Sequence, residues 1–338
     1  MPLLVIAKRQ RDRLEKRPTG ATAASVSYRL TVPRRDDDFW ARFEERQHEE
    51  VLAQFHDANG EPKLVDCAVL FLDVLGTSSA AEASVHDAEV GNARLRELIP
   101  AITDAREFGL LDSKGLYATT YFSDNIVSAA PLREPGDTEV IVEGFFVMAG
   151  RVQLALAQHG FFARGAVAFG PHYMDEANAF GPALVEAVRL EKSVADVPRV
   201  VLSERVVALA RKHLSYYFNS AHAPGRRILL TDSTACSFVS YLAVLFAEID
   251  DAADAADLLC DHRDRVTQQL EEWREGDPRV WRKLQWVGRY HNWFCDQLGS
   301  KAEASRIADT LLPVEFGRFA EDIPLPPPDE GDPFEADL

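Results

Sequence analysis

The chain has 338 residues, 46% of them hydrophobic and 27% charged, enough to bury one large core or two ordinary ones. Its formal net charge of −17 repels nucleic-acid backbones and counts against duplex binding, but not against a nucleotide whose phosphates are screened by metal ions. Four cysteines, Cys67, Cys236, Cys260 and Cys295, show no CxxC spacing, which counts against a zinc site or a disulfide framework and suits a reducing cytosol. No apolar run approaches the roughly 18 residues of a membrane span, and the stretch from Leu3 to Ile6 is too short for a secretory signal, so a cytoplasmic protein is expected.

Residues 1–35 are basic and irregular, with a β-like stretch at 24–32. Asp36, Asp37 and Asp38 then open a predicted helix over 39–55, acidic at its N-terminus as the helix dipole favours. The run 64–72 is apolar except for Asp66 and reads as a buried strand ending in Asp73. Gly76 and the small hydroxyl residues Thr77, Ser78 and Ser79 follow, and then a helical pattern. A strand that delivers a carboxylate and turns through glycine into a helix can hold a metal ion and offer backbone N–H groups to phosphate. Many ordinary strands end the same way. Residues 80–108 are helical, and Gly91 and Pro100 divide them into two helices. Segments 116–122 and 126–130 flank Ser123, Asp124 and Asn125 as a hairpin with an aspartate at its tip. Asp124 is either a turn former or a second metal carboxylate beside Asp73.

A helix is predicted over 139–159 with Gly160 as its C-cap. Residues 161–169 form a strand that Gly170, Pro171 and His172 turn, with 173–179 leading back and His172 solvated at the tip. Gly181 and Pro182 start a helix that turns Leu184, Ala187, Val188 and Leu190 inward. A strand at 199–202 follows, then a helix capped by Ser203 and an edge strand at 226–231. Beyond 233 the pattern is helical over 237–249, 251–273, 278–298 and 302–312. Trp286 and Trp293, seven apart, read as a core stripe. The acidic, proline-rich tail is expected to be extended. The order of elements predicts an α+β fold with a ferredoxin-like, split βαβ sheet. Its expected division is an N-terminal segment 1–63, a catalytic domain 64–232, a helical appendage 233–316 and a tail 317–338.

Four motifs in this order resemble the catalytic domain of class III nucleotidyl cyclases. They are Phe71-Leu72-Asp73-Val74-Leu75-Gly76-Thr77 at a strand end, Ser123-Asp124 at a hairpin tip, the strand from Arg164 to Gly170, and the helix from Phe180 to Leu190 with Arg189. The resemblance covers about half of the chain. It implies that Asp73, Asp124 and the carbonyl of Val74 bind two divalent ions, Mg²⁺ or Mn²⁺. It also implies that Gly76, Thr77 and Ser78 cradle the phosphates of a nucleoside triphosphate and that Arg189 stabilises the transition state. A homodimer with shared sites is implied, Asp73 and Asp124 coming from one subunit, Asn178 and Arg189 from the other.

The departures are as informative. The family's phenylalanine after the loop glycine is Thr77, its glycine before the second aspartate is Ser123, and its asparagine four residues before the helix arginine is Val185. The purine-reading positions hold Thr120 and Asn178, side chains that each donate and accept. In this the chain is similar to the bacterial anti-phage pyrimidine cyclases, the Pycsar cyclases, which implies cyclic UMP or cyclic CMP as product and Thr120, Tyr121 and Asn178 around the base. Arg164 reads either as part of the motif or as an ion pair at a strand start, and Arg226 and Arg227 are candidates for a phosphate-holding cation. Competing readings are a purine cyclase, a degenerate cyclase-like binding module, and a palm-type polymerase, for which the charge of −17 leaves no basic template channel.

Overall fold

The computed structural model describes residues 38–109, 117–132, 138–215, 228–248, 252–317 and 319–320. The β-like stretch at 24–32, Arg226, Arg227 and the tail beyond 320 lie outside the described residues. Helix α1 (Asp38–Ala53) precedes strand β1 (Val65–Val74), and helices α2 (Thr77–Ser84) and α3 (Ala88–Gly109) follow it. Strands β2 (Ala118–Phe122) and β3 (Asn125–Pro131) form the hairpin. Then come α4 (Thr138–Gln158), β4 (Ala163–Met174), β5 (Ala179–Phe180), α5 (Pro182–Ser193), β6 (Val200–Leu202) and α6 (Glu204–Ser215). The C-terminal part holds β7 (Leu229–Asp232), β8 (Ser237–Val239), α7 (Tyr241–Glu248), α8 (Ala252–Glu272), α9 (Pro278–Leu298) and the two-residue β9 (Phe319–Ala320).

Strand β1 is the spine of an α+β sheet of order β2-β3-β1-β4-β6-β8-β7-β9, with β5 on β4. It runs antiparallel to β3 on one side and to β4 on the other. Both faces of β1 are covered, which is why its sequence is apolar almost throughout. Ala68, Leu70, Leu72 and Val74 pack into the core with Phe145 and Phe146 of α4 and Val206 and Leu209 of α6. Cys67 and Val69 face the other side, with Val51 and Phe55 of the α1 segment and Ala183 of α5. Gly165 is demanded by this pairing, because a Cβ there would lie 2.1 Å from the carbonyl oxygen of Phe71.

Several expectations are corrected. Pro100 does not divide a helix; it lies inside α3, on its exposed side beside exposed Arg96, where a freed carbonyl can be hydrated. The break falls at 85–87 instead, where the Asp87 carboxylate accepts from the Glu89 N–H at 3.0 Å. Gly170, Pro171 and His172 do not turn the chain either. Strand β4 runs straight through them, with His172 opposite Val65, and the reversal comes at 175–178. There the Asp175 carboxylate accepts from the N–H groups of Ala177 and Asn178. His172 is therefore not solvated: it is 0% exposed, edge-on to Phe55.

The segment 237–249 is not wholly helical, since Ser237–Val239 forms β8 between β6 and β7. Nor is β7 the edge strand, because the two-residue β9 pairs with its far side. Residues 302–312 hold 3₁₀ turns rather than an α-helix. The tryptophan stripe is core, as expected: Trp286, Tyr290 and Trp293 stack along α9 with centroids 5.4 and 6.2 Å apart, and Phe319 of β9 packs across them. Ser203 caps α6, its hydroxyl accepting from the Val206 N–H at 3.3 Å.

The β2–β3 hairpin turns through two residues, and Ser123 sits there at φ 58°, the left-handed region that glycine enters without strain. Ser123→Gly is expected to stabilise the fold by about 1 kcal/mol, read as a raised midpoint in urea unfolding. An unchanged or lowered midpoint would mean that the serine makes a compensating contact.

Candidate active site

The strand pairing brings the two predicted carboxylates together. Asp73, at the end of β1, is the register partner of Asn125 on β3 and of Arg164 on β4. The Val74 N–H donates to the carbonyl of Asp124 at 3.2 Å, which docks the hairpin tip on the strand end. Burial raises the pKa of the Asp73 carboxyl; Asp124 nearby raises it further, against the Arg164 guanidinium, which lowers it. Two close carboxylates in a partly desolvated setting call for positive charge.

The loop after Asp73 is built for tight approach. Gly76 stands at φ 85° and Thr77 begins α2, so the free N–H groups of the first turn, Ser78 among them, open beside the carboxylates. The Thr77 hydroxyl reaches the Asp124 carboxylate and lies 3.2 Å from the Val74 carbonyl. Thr77 thus ties the hairpin aspartate to the loop. Oxygen donors of this kind, two carboxylates and a backbone carbonyl, suit a hard ion such as Mg²⁺ or Mn²⁺ that keeps several waters. Among the described residues no three His, Cys, Asp or Glu side chains form a metal-holding group.

Arg164 resolves as an ion-pair residue. Its guanidinium lies 3.3 Å from Asp73 and 2.5 Å from Glu191 of α5, whose side chain is only 3% exposed. Glu191 was missed in the sequence, although it stands four residues after Ala187 and eight after Ala183, on the buried stripe of α5. The expected inward residues Leu184, Val188 and Leu190 are only half-buried. Arg189, two residues before Glu191, is rotated about 200° around the helix and is exposed, so it faces away from the Asp73 of its own chain. Val185, one turn earlier on the same side, is 58% exposed.

The three predicted base contacts are not brought together within one chain. Thr120 and Tyr121 point to opposite faces of β2. Tyr121 packs against the α3–α4 side, where burial pushes its hydroxyl pKa up and the Arg106 guanidinium lies 5.6 Å from its ring centre. The register aligns Thr120 with Val127, Phe71 and Ala166. Asn178 lies beyond Met174, which is eight residues after Ala166 on β4, an offset of roughly 25 Å along the strand direction alone. Its amide nitrogen donates to Asp175 at 3.0 Å, and that bond with others holds the Asp175 carboxyl at about 2.

Two residues of the C-terminal helices border the site and were also missed. Trp273, just after α8, would be 3.7 Å from a Cβ at Gly76, and Lys283 of α9 interacts electrostatically with Asp73, Glu191 and Asp196. Nothing in their local sequence marks them, because α8 and α9 reach the loop only through tertiary packing.

No protein-family model and no curated protein matches the chain. Among solved structures it is similar to the adenylyl cyclase CyaB from P. aeruginosa, at 10% identity over 53% of this chain and 95% of that one, with a TM-score of 0.39. It is also similar to a class III adenylyl cyclase-like ATP-binding protein from Pseudomonas aeruginosa, at 14% identity over 71% of this chain and 48% of that one, again with a TM-score of 0.39. Both likenesses are slight.

Proposed function

We propose that the chain is a metal-dependent nucleotidyl cyclase of the class III kind that works as a homodimer and cyclises a pyrimidine nucleoside triphosphate, UTP before CTP. The observation that carries this reading is the meeting of Asp73 and Asp124 beside the N-terminus of α2. In the reaction the ribose 3′-oxygen attacks the α-phosphorus, the 3′-hydroxyl proton is lost, and pyrophosphate departs. A divalent ion held by Asp73, Asp124 and the Val74 carbonyl would make the 3′-oxygen a better nucleophile and offset charge on the phosphates. The chain's own part is positioning and electrostatics: the first-turn N–H groups of α2 hold the phosphates, Thr77 fixes Asp124, and Arg189 neutralises charge as pyrophosphate leaves.

Two observations support a shared site. Arg189 faces away from the Asp73 of its own chain. The surface around each half is apolar and exposed, Phe122 at 77% beside Asp124, Phe180 at 69% on β5 just before α5, and Val185 at 58% on the arginine face of α5. The offset of roughly 25 Å along the strands that separates Thr120 from Asn178 within one chain further supports a base held between Thr120 of one subunit and Asn178 of the other.

The test is purified protein with Mn²⁺ and each of ATP, GTP, CTP and UTP in parallel, with products identified by mass. Cyclic UMP or cyclic CMP is the expected product; cyclic AMP or GMP would keep the metal site and discard the pyrimidine pocket. A binding module without chemistry is favoured by one feature, the exposed Val185 where the family has asparagine. No product from folded, dimeric protein, together with Mn²⁺-dependent thermal stabilisation that Asp73→Asn abolishes, would establish that alternative.

A further inference from the structure

We propose that Lys283 of α9 binds the terminal phosphates of the substrate at the Asp73 of its own chain, which makes the C-terminal helices a wall of the active site. The proposal rests on the metal–nucleotide reading above and adds to it a residue that no motif marks.

The α8–α9 connection lies against the phosphate loop. Trp273 covers Gly76, and a Cβ at that glycine would meet the indole at 3.7 Å. Lys283 is half-buried at the end of α9 where its neighbour Arg282 lies 3.7 Å from Asp196 and where Arg164 reaches from Asp73, at 3.3 Å, to the Ala195 carbonyl at 3.5 Å. Lys283 and Arg164 thus share Asp73 and Glu191 as electrostatic neighbours. Each of these two cations could serve an incoming triphosphate, but Arg164 is already committed, at 3.3 Å to Asp73 and 2.5 Å to buried Glu191. The ammonium of Lys283 makes no hydrogen bond or salt bridge within 4.0 Å among the described residues. A half-buried ammonium whose three donors are unspent among the described residues, beside a glycine turn and a helix N-terminus, matches a polyphosphate tail, which brings charge and acceptors together. Arg94 also approaches Gly76, but it stacks on Phe161 at 4.0 Å and pairs with Glu97 at 3.4 Å, so it is a weaker candidate.

The plain alternative is that Lys283 only balances Asp73, Glu191 and Asp196. The two roles predict opposite signs. Calorimetric titration of the full chain with Mn²⁺, and then with inorganic tripolyphosphate in the presence of Mn²⁺, separates them. If Lys283 binds phosphate, Lys283→Met weakens tripolyphosphate binding by about tenfold or more, while Mn²⁺ alone binds as tightly or more tightly, because a cation beside Asp73 is gone. Lys283→Arg recovers most of the tripolyphosphate affinity. Unchanged tripolyphosphate affinity in Lys283→Met, with binding abolished by Asp73→Asn, would remove the lysine from the site and leave the metal reading standing. No Mn²⁺-dependent tripolyphosphate binding by the unmodified chain would overturn both. Should Lys283→Met fail to fold, Lys283→Gln carries the same comparison.

Discussion

Mixed subunits of Asp73→Ala and Arg189→Ala are expected to form product where neither variant alone does. Each variant alone should lose on the order of 10³-fold or more in rate, one through its metal carboxylate and the other through its transition-state cation. In a two-fold dimer of the proposed kind, both sites of either homodimer are then dead. A heterodimer concentrates both lesions in one site and leaves the other whole. Random exchange should therefore restore about a quarter of the unmodified rate, since half of the dimers are mixed and half of their sites intact. The geometry behind the expectation is the helical rotation between Glu191 and Arg189, which points one inward and the other out. Exchange is checked by tagging one variant and pulling down the other. Confirmed exchange without any regain of rate would show that each chain completes its own site.

The second large effect is on stability. The protein is expected to lose several kcal/mol as pH falls from about 6.5 to about 4. Among the described residues three histidines are fully buried: His172, His262 and His291 are each 0% exposed. Burial pulls His172 and His291 down to about 4 and His262 well below its ordinary value. The last two form a chain, with His262 Nδ1 2.9 Å from His291 Nδ1, His262 Nε2 2.8 Å from the Tyr241 hydroxyl and His291 Nε2 2.7 Å from the Ser305 carbonyl. Burial keeps both rings neutral, and a neutral His291 that donates to that carbonyl through Nε2 accepts the His262 Nδ1–H through its own Nδ1, which leaves His262 Nε2 to accept from the Tyr241 hydroxyl. A histidine whose folded pKa is depressed is protonated first in the unfolded chain. Stability is thus intact above about 6.5 and falls with pH until about 4, by about 3 kcal/mol for His172 alone. Urea unfolding at several pH values measures the slope. His172→Phe, which keeps the ring edge toward Phe55, should flatten it by about 1.4 kcal/mol per pH unit in that window. An unaltered slope would mean that His172 is protonated in the native protein.

How much of this was legible in the sequence depended on whether the signal was local. The strand of Asp73 announced itself through an apolar run, the hairpin through its polar tip, and α5 through Gly181 and Pro182. The glycine is required, because at φ 149° its Cβ would come within 2.6 Å of the Pro171 carbonyl. Pro100 and Gly170-Pro171-His172 misled for one reason. Both are breaker signals whose force depends on what the backbone must bond to, and Pro100 on an exposed helix side and Pro171 on a stretch of β4 with no strand on its far side have little to lose. Strand β8 was hidden because three residues, Ser237, Phe238 and Val239, carry no readable period before the helix that follows. Glu191 could have been found by counting the buried stripe of α5. Lys283 and Trp273 could not, since only the packing of distant helices brings them to the loop.

In the proposed dimer, helix α5 would carry Glu191 toward one catalytic centre and Arg189 toward the other, about 3 Å apart along its axis. In a pair built on this plan the two centres are joined by a rigid rod rather than by a flexible interface. Any tilt of α5 as Arg164 readjusts to an arriving ligand moves the neighbouring centre's arginine by a similar amount. Occupancy of one centre would be felt at the other, so turnover of the pair should show cooperativity between its halves rather than two independent rates.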